Sequence, residues 1–121
     1  MIRKSINWGI LGLGKIAHKF AHDLLLHENS NLYAVGSRNL KKAIDFGLKY
    51  NTDRHYGSYE ELVADPNIDV IYIATPHTFH FENAMMCLKN GKSVLIEKPM
   101  GIDYSEVSTL ISEAKNRNLF L

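Results

Sequence analysis

The feature that most constrains this chain is a short apolar run that ends abruptly in small residues. Ile6 to Leu11 reads as a buried strand, Gly12-Leu13-Gly14 as a tight turn, and Lys15 onward as a helix. From Lys15 to His27 the apolar residues Ile16, Ala17, Phe20, Ala21, Leu24 and Leu25 recur at three- and four-residue steps, which gives that helix one buried face. A strand that hands over directly to a helix opens a βα unit.

The alternation continues to the end of the chain. Leu32 to Val35 is a second strand closing at Gly36-Ser37-Arg38, and Asn39 is placed to cap a helix carrying Leu40, Ala43, Ile44 and Leu48. A short third strand is expected around Arg54-His55-Tyr56. Ser58 and Glu61 form a capping box for a short helix that Asp65-Pro66 stops. Val70 to Ala74 is apolar without alternation, as a parallel strand covered on both faces should be. A helix from about Thr78 to Lys89 closes at Asn90-Gly91, and Val94 to Ile96 is a fifth strand. Asp103 and Glu106 cap a last helix with Val107, Leu110, Ile111 and Ala114, and Leu119-Phe120-Leu121 opens a sixth strand. Strands alternating with helices imply a parallel sheet with right-handed crossovers. The expected fold is a single α/β domain over residues 1–121, a doubly wound parallel sheet in three αβα layers with its last strand cut short.

Composition narrows the partners. The 121 residues carry 14 Lys and Arg against 13 Asp and Glu, a net charge of +1. That balance gives no basic stripe for nucleic acid and no polybasic patch for a membrane surface. One cysteine, Cys87, leaves no internal disulfide and no multi-cysteine zinc site. No apolar run reaches the about 18 residues of a membrane span. Arg3 and Lys4 precede Ile10-Leu11, but Gly12, Gly14, Lys15 and His18 break the run before it resembles a signal peptide. A cytoplasmic protein is expected.

The chemistry starts at the first turn. Gly12-x-Gly14-x-x-Ala17, between a strand and a helix, is the pattern and the context of a dinucleotide-binding turn. Gly12 permits the turn, Gly14 lets backbone approach a pyrophosphate, and Ala17 lets the helix pack close to the strand. The helix N-terminus then offers free N–H groups and partial positive charge to the phosphates. The tip of the second strand selects the cofactor. An NAD site usually has an acid there, about 20 residues beyond the glycines, for the ribose 2′-hydroxyl. Here Gly36-Ser37-Arg38 has none. Arg38 can pair with a 2′-phosphate, Ser37 can add a hydroxyl, and Lys41 or Lys42 can add charge. NADP is favoured, with NAD possible, and a solvated surface arginine is the plain alternative.

Two further segments reach the same end of the sheet. Thr75-Pro76-His77 is placed to line the nicotinamide ribose. In Glu97-Lys98-Pro99 the lysine is positioned to give a proton or hydrogen bond to a substrate oxygen, while Glu97 takes ribose hydroxyls and partners Lys98. The plain alternative is a polar loop before a helix. His18 and His22, spaced i, i+4, lack the glutamate and third ligand of a zinc site and are expected as solvated residues opposite Phe20 and Leu24. His80 is expected as a contact beside the pocket, and no metal is expected at His77 and His80. Cys87 should pack against the sheet with no nucleophilic role.

These motifs occur in the order seen in one family. The chain resembles the N-terminal half of the glucose–fructose oxidoreductase/inositol dehydrogenase (Gfo/Idh/MocA) family. The likeness rests on Trp8 to Ala17, Ala34 to Arg38, Tyr56 to Leu62, Ile68 to His77 with His80, and Gly91 to Pro99. It implies a Rossmann-type cofactor domain of an NADP-dependent oxidoreductase moving hydride to or from a sugar, cyclitol or related diol. Its members using a Gly-Ser-Arg tip include ones similar to dimeric dihydrodiol dehydrogenases. By resemblance, Lys98 is catalytic. Cofactor contacts are expected from Gly12, Leu13, Gly14, Lys15, Ile16, Ser37, Arg38, Lys42, Ala74, Thr75, Pro76, His77, His80, Glu97 and Lys98. His77 stands where the family frequently has Asn. The family's second domain, which carries most of the substrate pocket and an acid–base histidine, is expected to lie outside these residues, so no turnover is expected from them alone. Homo-oligomers are possible in the full-length protein. The alternative is a free-standing nucleotide-binding or redox-sensing module without catalysis.

Overall fold

The computed structural model describes residues 5–96 and 104–120. The strands are β1 (Ile6–Leu11), β2 (Ser30–Gly36), β3 (Arg54–Tyr56), β4 (Val70–Ile73) and β5 (Ser93–Ile96). The helices are α1 (Lys15–Leu24), α2 (Leu40–Tyr50), α3 (Tyr59–Val63), α4 (His80–Lys89) and α5 (Tyr104–Asn116), with a 3-10 turn (His77–Phe79) leading into α4. Among the described residues the sheet has five strands in the order β3-β2-β1-β4-β5, and every pairing is parallel.

Adjacent residues of the central strands point into different cores. Leu11, Ile71, Ile73 and Val94 pack with Leu62, Ala84, Leu88 and Leu110 from α3, α4 and α5. Ile10, Val35 and Tyr72 pack on the other face with Ala17, Ala21, Leu24, Ala43 and Phe46 from α1 and α2. The sheet is therefore the middle of three layers, and the unbroken apolar run of β4 follows from burial on both faces. β2 and β3 extend from one side of β1, β4 and β5 from the other. The strand order thus reverses between β1 and β4, and at such a switch point a crevice opens beyond the strands' carboxyl ends.

Both expected side-chain caps that fall on described residues form. Asn39 Oδ1 accepts from the Lys42 N–H at 3.1 Å, and Ser58 Oγ accepts from the Glu61 N–H at 3.2 Å. In the box at α3, the Ser58 hydroxyl also donates to the Glu61 carboxylate at 2.9 Å. Asp103 lies outside the described residues. After α5 the chain returns to the edge of β5. Val94 N–H donates to the Phe120 carbonyl at 3.0 Å and Phe120 N–H to Ser93 Oγ at 3.2 Å, at the place expected for a sixth strand.

Helix faces depart from the expected ones in detail. α1 ends at Leu24, so Leu25, expected to be buried, is exposed, as is Ile16. β2 begins already at Ser30 because it pairs with β1 from Ile6 onward. α2 buries Ala43, Phe46, Gly47 and Tyr50 and turns Leu40 and Leu48 outward. The four buried positions follow the i, i+3, i+4, i+7 spacing of a single face, and Leu48 is not on it. Ile111 of α5 is likewise exposed.

Candidate cofactor site

At the end of β1, Gly12 takes φ +93°, a left-handed conformation that L side chains rarely adopt. A Cβ there would stand 2.9 Å from Thr75 Cγ2 and 3.1 Å from Thr75 N, because the turn is pressed between β2 and β4. Gly12 N–H donates to the Gly36 carbonyl at 3.0 Å, and Ala74 N–H to the Leu11 carbonyl at 2.8 Å. Gly14 differs. It caps α1 in extended backbone with no side-chain hydrogen bond, and a Cβ on it would meet nothing within 4 Å. Its carbonyl takes the Ala17 and His18 N–H groups, so the N–H groups of Lys15 and Ile16 face the opening. Ala17, fully buried, lets α1 lie close on the sheet.

A cavity of about 670 Å³ lies above this turn. It is lined by Gly12, Leu13, Gly14, Lys15, Ile16, Ser37, Arg38, Asn39, Lys42, Tyr59, Ala74, Thr75 and Pro76. Among the described residues its walls hold three cations and no carboxylate, and no described carboxylate pairs with Lys15, Arg38 or Lys42. Such a cleft suits a polyanion. Buried Ser37 anchors the β2 tip. Its N–H donates to the Tyr56 carbonyl at 3.0 Å and its Oγ accepts from Asn39 N–H at 3.1 Å, which leaves the hydroxyl proton to give to a ligand.

The segment after β4 is tied to α4. Thr75 Oγ1 donates to Asn83 Oδ1 at 2.6 Å, and His80 Nε2–H donates to the Thr75 carbonyl at 2.8 Å. A carbonyl only accepts, so this contact puts the proton on Nε2. His80 is buried and holds the loop from beneath, outside the cavity lining. His77 also stands outside it. Eleven of the residues expected at the cofactor therefore meet in one cavity, while Glu97 and Lys98 lie outside the described residues. Two lining residues were not expected as cofactor contacts. Asn39 reads in sequence as a helix cap only, and Tyr59 follows the Ser58 cap and enters the site because β3 pairs with the end of β2.

His18 is not a solvated residue. It is half-buried between α1 and α2, with Nδ1 2.8 Å from the Tyr50 hydroxyl and its ring 4.5 Å from that of Phe46. Burial, then the charges of Lys49 and Lys42, lower its pKa below the ordinary 6.5. Cys87 packs in the core as expected, and burial pushes its thiol up to about 12. Among the described residues no cluster of three or more His, Cys, Asp or Glu could hold a metal, and no helix is long and apolar enough to cross a membrane.

Comparison with known proteins agrees with this geometry. The Gfo/Idh/MocA model, described as an oxidoreductase family with an NAD-binding Rossmann fold, matches residues 6–121. A trans-1,2-dihydrobenzene-1,2-diol dehydrogenase from Macaca fuscata fuscata is 42% identical over 119 residues, covering 97% of this chain and 36% of the relative. The chain thus spans little more than a third of that relative's length. The 3-ketoreductase KijD10 from Actinomadura kijaniata, solved with TDP-benzene and NADP, superposes with a TM-score of 0.92 at 28% identity, over 98% of this chain and 37% of that one. An NAD-binding oxidoreductase from Klebsiella pneumoniae gives a TM-score of 0.89 at 26% identity, over 95% and 33% of the two chains.

Proposed function

Because this chain belongs to the Gfo/Idh/MocA family of oxidoreductases, we propose that its Rossmann cleft holds NADP in preference to NAD. We infer that it is the cofactor-binding part of an enzyme moving a hydride between nicotinamide and an alcohol or carbonyl carbon of a sugar, cyclitol or related diol. The observation that carries the cofactor choice is the tip of β2. Ser37 and Arg38 line the cavity where an NAD site presents a carboxylate, and Lys42 lines it beside them. A carboxylate there would repel a 2′-phosphate, whereas a guanidinium pairs with one through two parallel N–H groups. The NADP complex of KijD10 supports this choice, and the dihydrodiol dehydrogenase relatives support the diol class.

The residues present fit the group. The open space at Gly14 and the Lys15 and Ile16 N–H groups receive the pyrophosphate, and Lys15 adds charge. Ser37, Arg38 and Lys42 take the 2′-phosphate, and the backbone from Ala74 through Pro76, on the cavity wall, receives the nicotinamide ribose. The nicotinamide supplies the hydride acceptor or donor when bound. Lys98 follows the end of β5 at Ile96 by two residues. Its ammonium holds the reacting oxygen by a hydrogen bond and exchanges a proton with it, with Glu97 as its neighbour and as a partner for ribose hydroxyls.

The test is Arg38→Ala, titrated with NADPH and with NADH. The substitution should weaken NADPH at least about tenfold, 1.4 kcal/mol, and leave NADH within about twofold. Equal losses for both would remove the 2′-phosphate role from Arg38.

A further inference from the structure

We propose that Tyr59 and Phe79 are positioning residues for cofactor discrimination, holding the Arg38 guanidinium between them so that its N–H groups meet a 2′-phosphate already oriented. The inference rests on the reading of Arg38 given above and extends it to two residues that the glycine motif and the β2 tip do not include.

Arg38 Cζ lies over the Tyr59 ring at 5.3 Å from its centre and over the Phe79 ring at 5.9 Å. Both distances fall within the range of about 6 Å in which a cation is drawn to an aromatic face. The two rings arrive from opposite sides of the switch point. Tyr59 is the first residue of α3, held there by the Ser58 cap, and Phe79 ends the 3-10 turn after β4. Phe79 is 41% exposed, so its ring is not simply a core side chain. Arg38 itself is exposed and makes no ion pair with a described carboxylate. An unheld surface arginine loses rotamer freedom when it clamps an anion. A guanidinium resting over a ring keeps its in-plane N–H donors for that anion while giving up the freedom beforehand. NADH has no 2′-phosphate and draws on none of this.

The experiment is calorimetric titration of Tyr59→Leu, Tyr59→Phe and Phe79→Leu with NADPH and NADH, repeated in an Arg38→Ala background. Tyr59→Leu and Phe79→Leu should each weaken NADPH about three- to tenfold and leave NADH within about twofold. Tyr59→Phe, which keeps the ring, should bind NADPH like the parent. With Arg38 already replaced, the leucine substitutions should change NADPH affinity less than about twofold, since the group they position is gone. Equal losses of NADPH and NADH, or losses undiminished in the Arg38→Ala background, would overturn the proposal. Tyr59 packs against the core and its leucine variant risks the fold, so Phe79→Leu, at an exposed position, decides if that variant is unstable. If Arg38→Ala weakens NADPH selectively and Phe79→Leu does not, the positioning role alone fails. If Arg38→Ala spares NADPH, the 2′-phosphate reading fails with it.

Discussion

Gly12 and Gly14 lie two residues apart in one turn, yet alanine at each position should break different things. At Gly12 the φ of +93° costs an L residue about 1–2 kcal/mol. The added Cβ would also press on Thr75 Cγ2 at 2.9 Å, Thr75 N at 3.1 Å and Ala74 C at 3.2 Å. Thr75 has little room to yield, because its hydroxyl is tied to Asn83 and its carbonyl to His80. Overpacking of this kind adds about 1–3 kcal/mol, so Gly12→Ala should lose about 2–5 kcal/mol, a large share of a typical domain's 5–15 kcal/mol or so. At Gly14 the backbone has φ −83° and ψ −164°, open to any residue, and a Cβ meets nothing within 4 Å. The stability of Gly14→Ala should therefore stay within about 1 kcal/mol of the parent. On the proposed placement of the pyrophosphate, however, its methyl group stands in the path of the phosphate oxygens, and NADPH binding should fall at least about tenfold, or 1.4 kcal/mol. Urea denaturation followed by circular dichroism reads the first effect, and calorimetric titration of the folded variants reads the second. A Gly12→Ala chain unfolding at the parental midpoint, or a Gly14→Ala chain binding NADPH like the parent, would refute this division of labour.

Other substitutions test the supporting structure. Asn39→Ala removes the cap on Lys42 N–H and should cost about 1 kcal/mol in urea unfolding; no change would mean that the cap contributes nothing. Tyr56→Phe deletes the 2.6 Å bond from a hydroxyl pushed up to about 12 onto the buried Asp65 carboxylate, and should cost about 1–3 kcal/mol at neutral pH. His18 titrates below 6.5 when folded, so the unfolded chain binds more protons and stability falls as pH drops below about 6.5. The stability gap between the parent and His18→Gln should therefore narrow on acidification, and a constant gap would contradict the buried placement. Cys87, fully buried with its thiol raised to about 12, should resist iodoacetamide in the folded chain and react only on unfolding.

The site was legible in sequence wherever it depended on short-range pattern. Gly12, Gly14 and Ala17 follow a strand and open a helix, and that local context alone predicts the tight turn on which the cavity opens. Ser37 and Arg38 lie at the tip of the next strand, so parallel pairing of β1 with β2 carries them to the same cavity. The features missed depend on packing between elements far apart in the chain. His18 reads as solvated from the periodicity of α1 alone, but Phe46 and Tyr50, about one helix further on, cover it. Tyr59 reaches the site only because β3 pairs with Gly36 at the end of β2 and so seats α3 against the cleft. Leu25 and Leu48 satisfy a loose helical spacing. Which residues a helix buries depends on its rotation against the sheet, and that is set by neighbours such as Tyr72 and Val35.

The central claim is a dinucleotide cleft whose β2 tip selects for a 2′-phosphate. Titration of the purified chain with NADPH and NADH under identical salt and pH tests it most directly. A preference for NADPH of tenfold or more, about 1.4 kcal/mol, is the result expected from Ser37, Arg38 and Lys42 acting together. Equal affinities or a preference for NADH would contradict the role given to the β2 tip, and binding of neither would contradict the cleft itself.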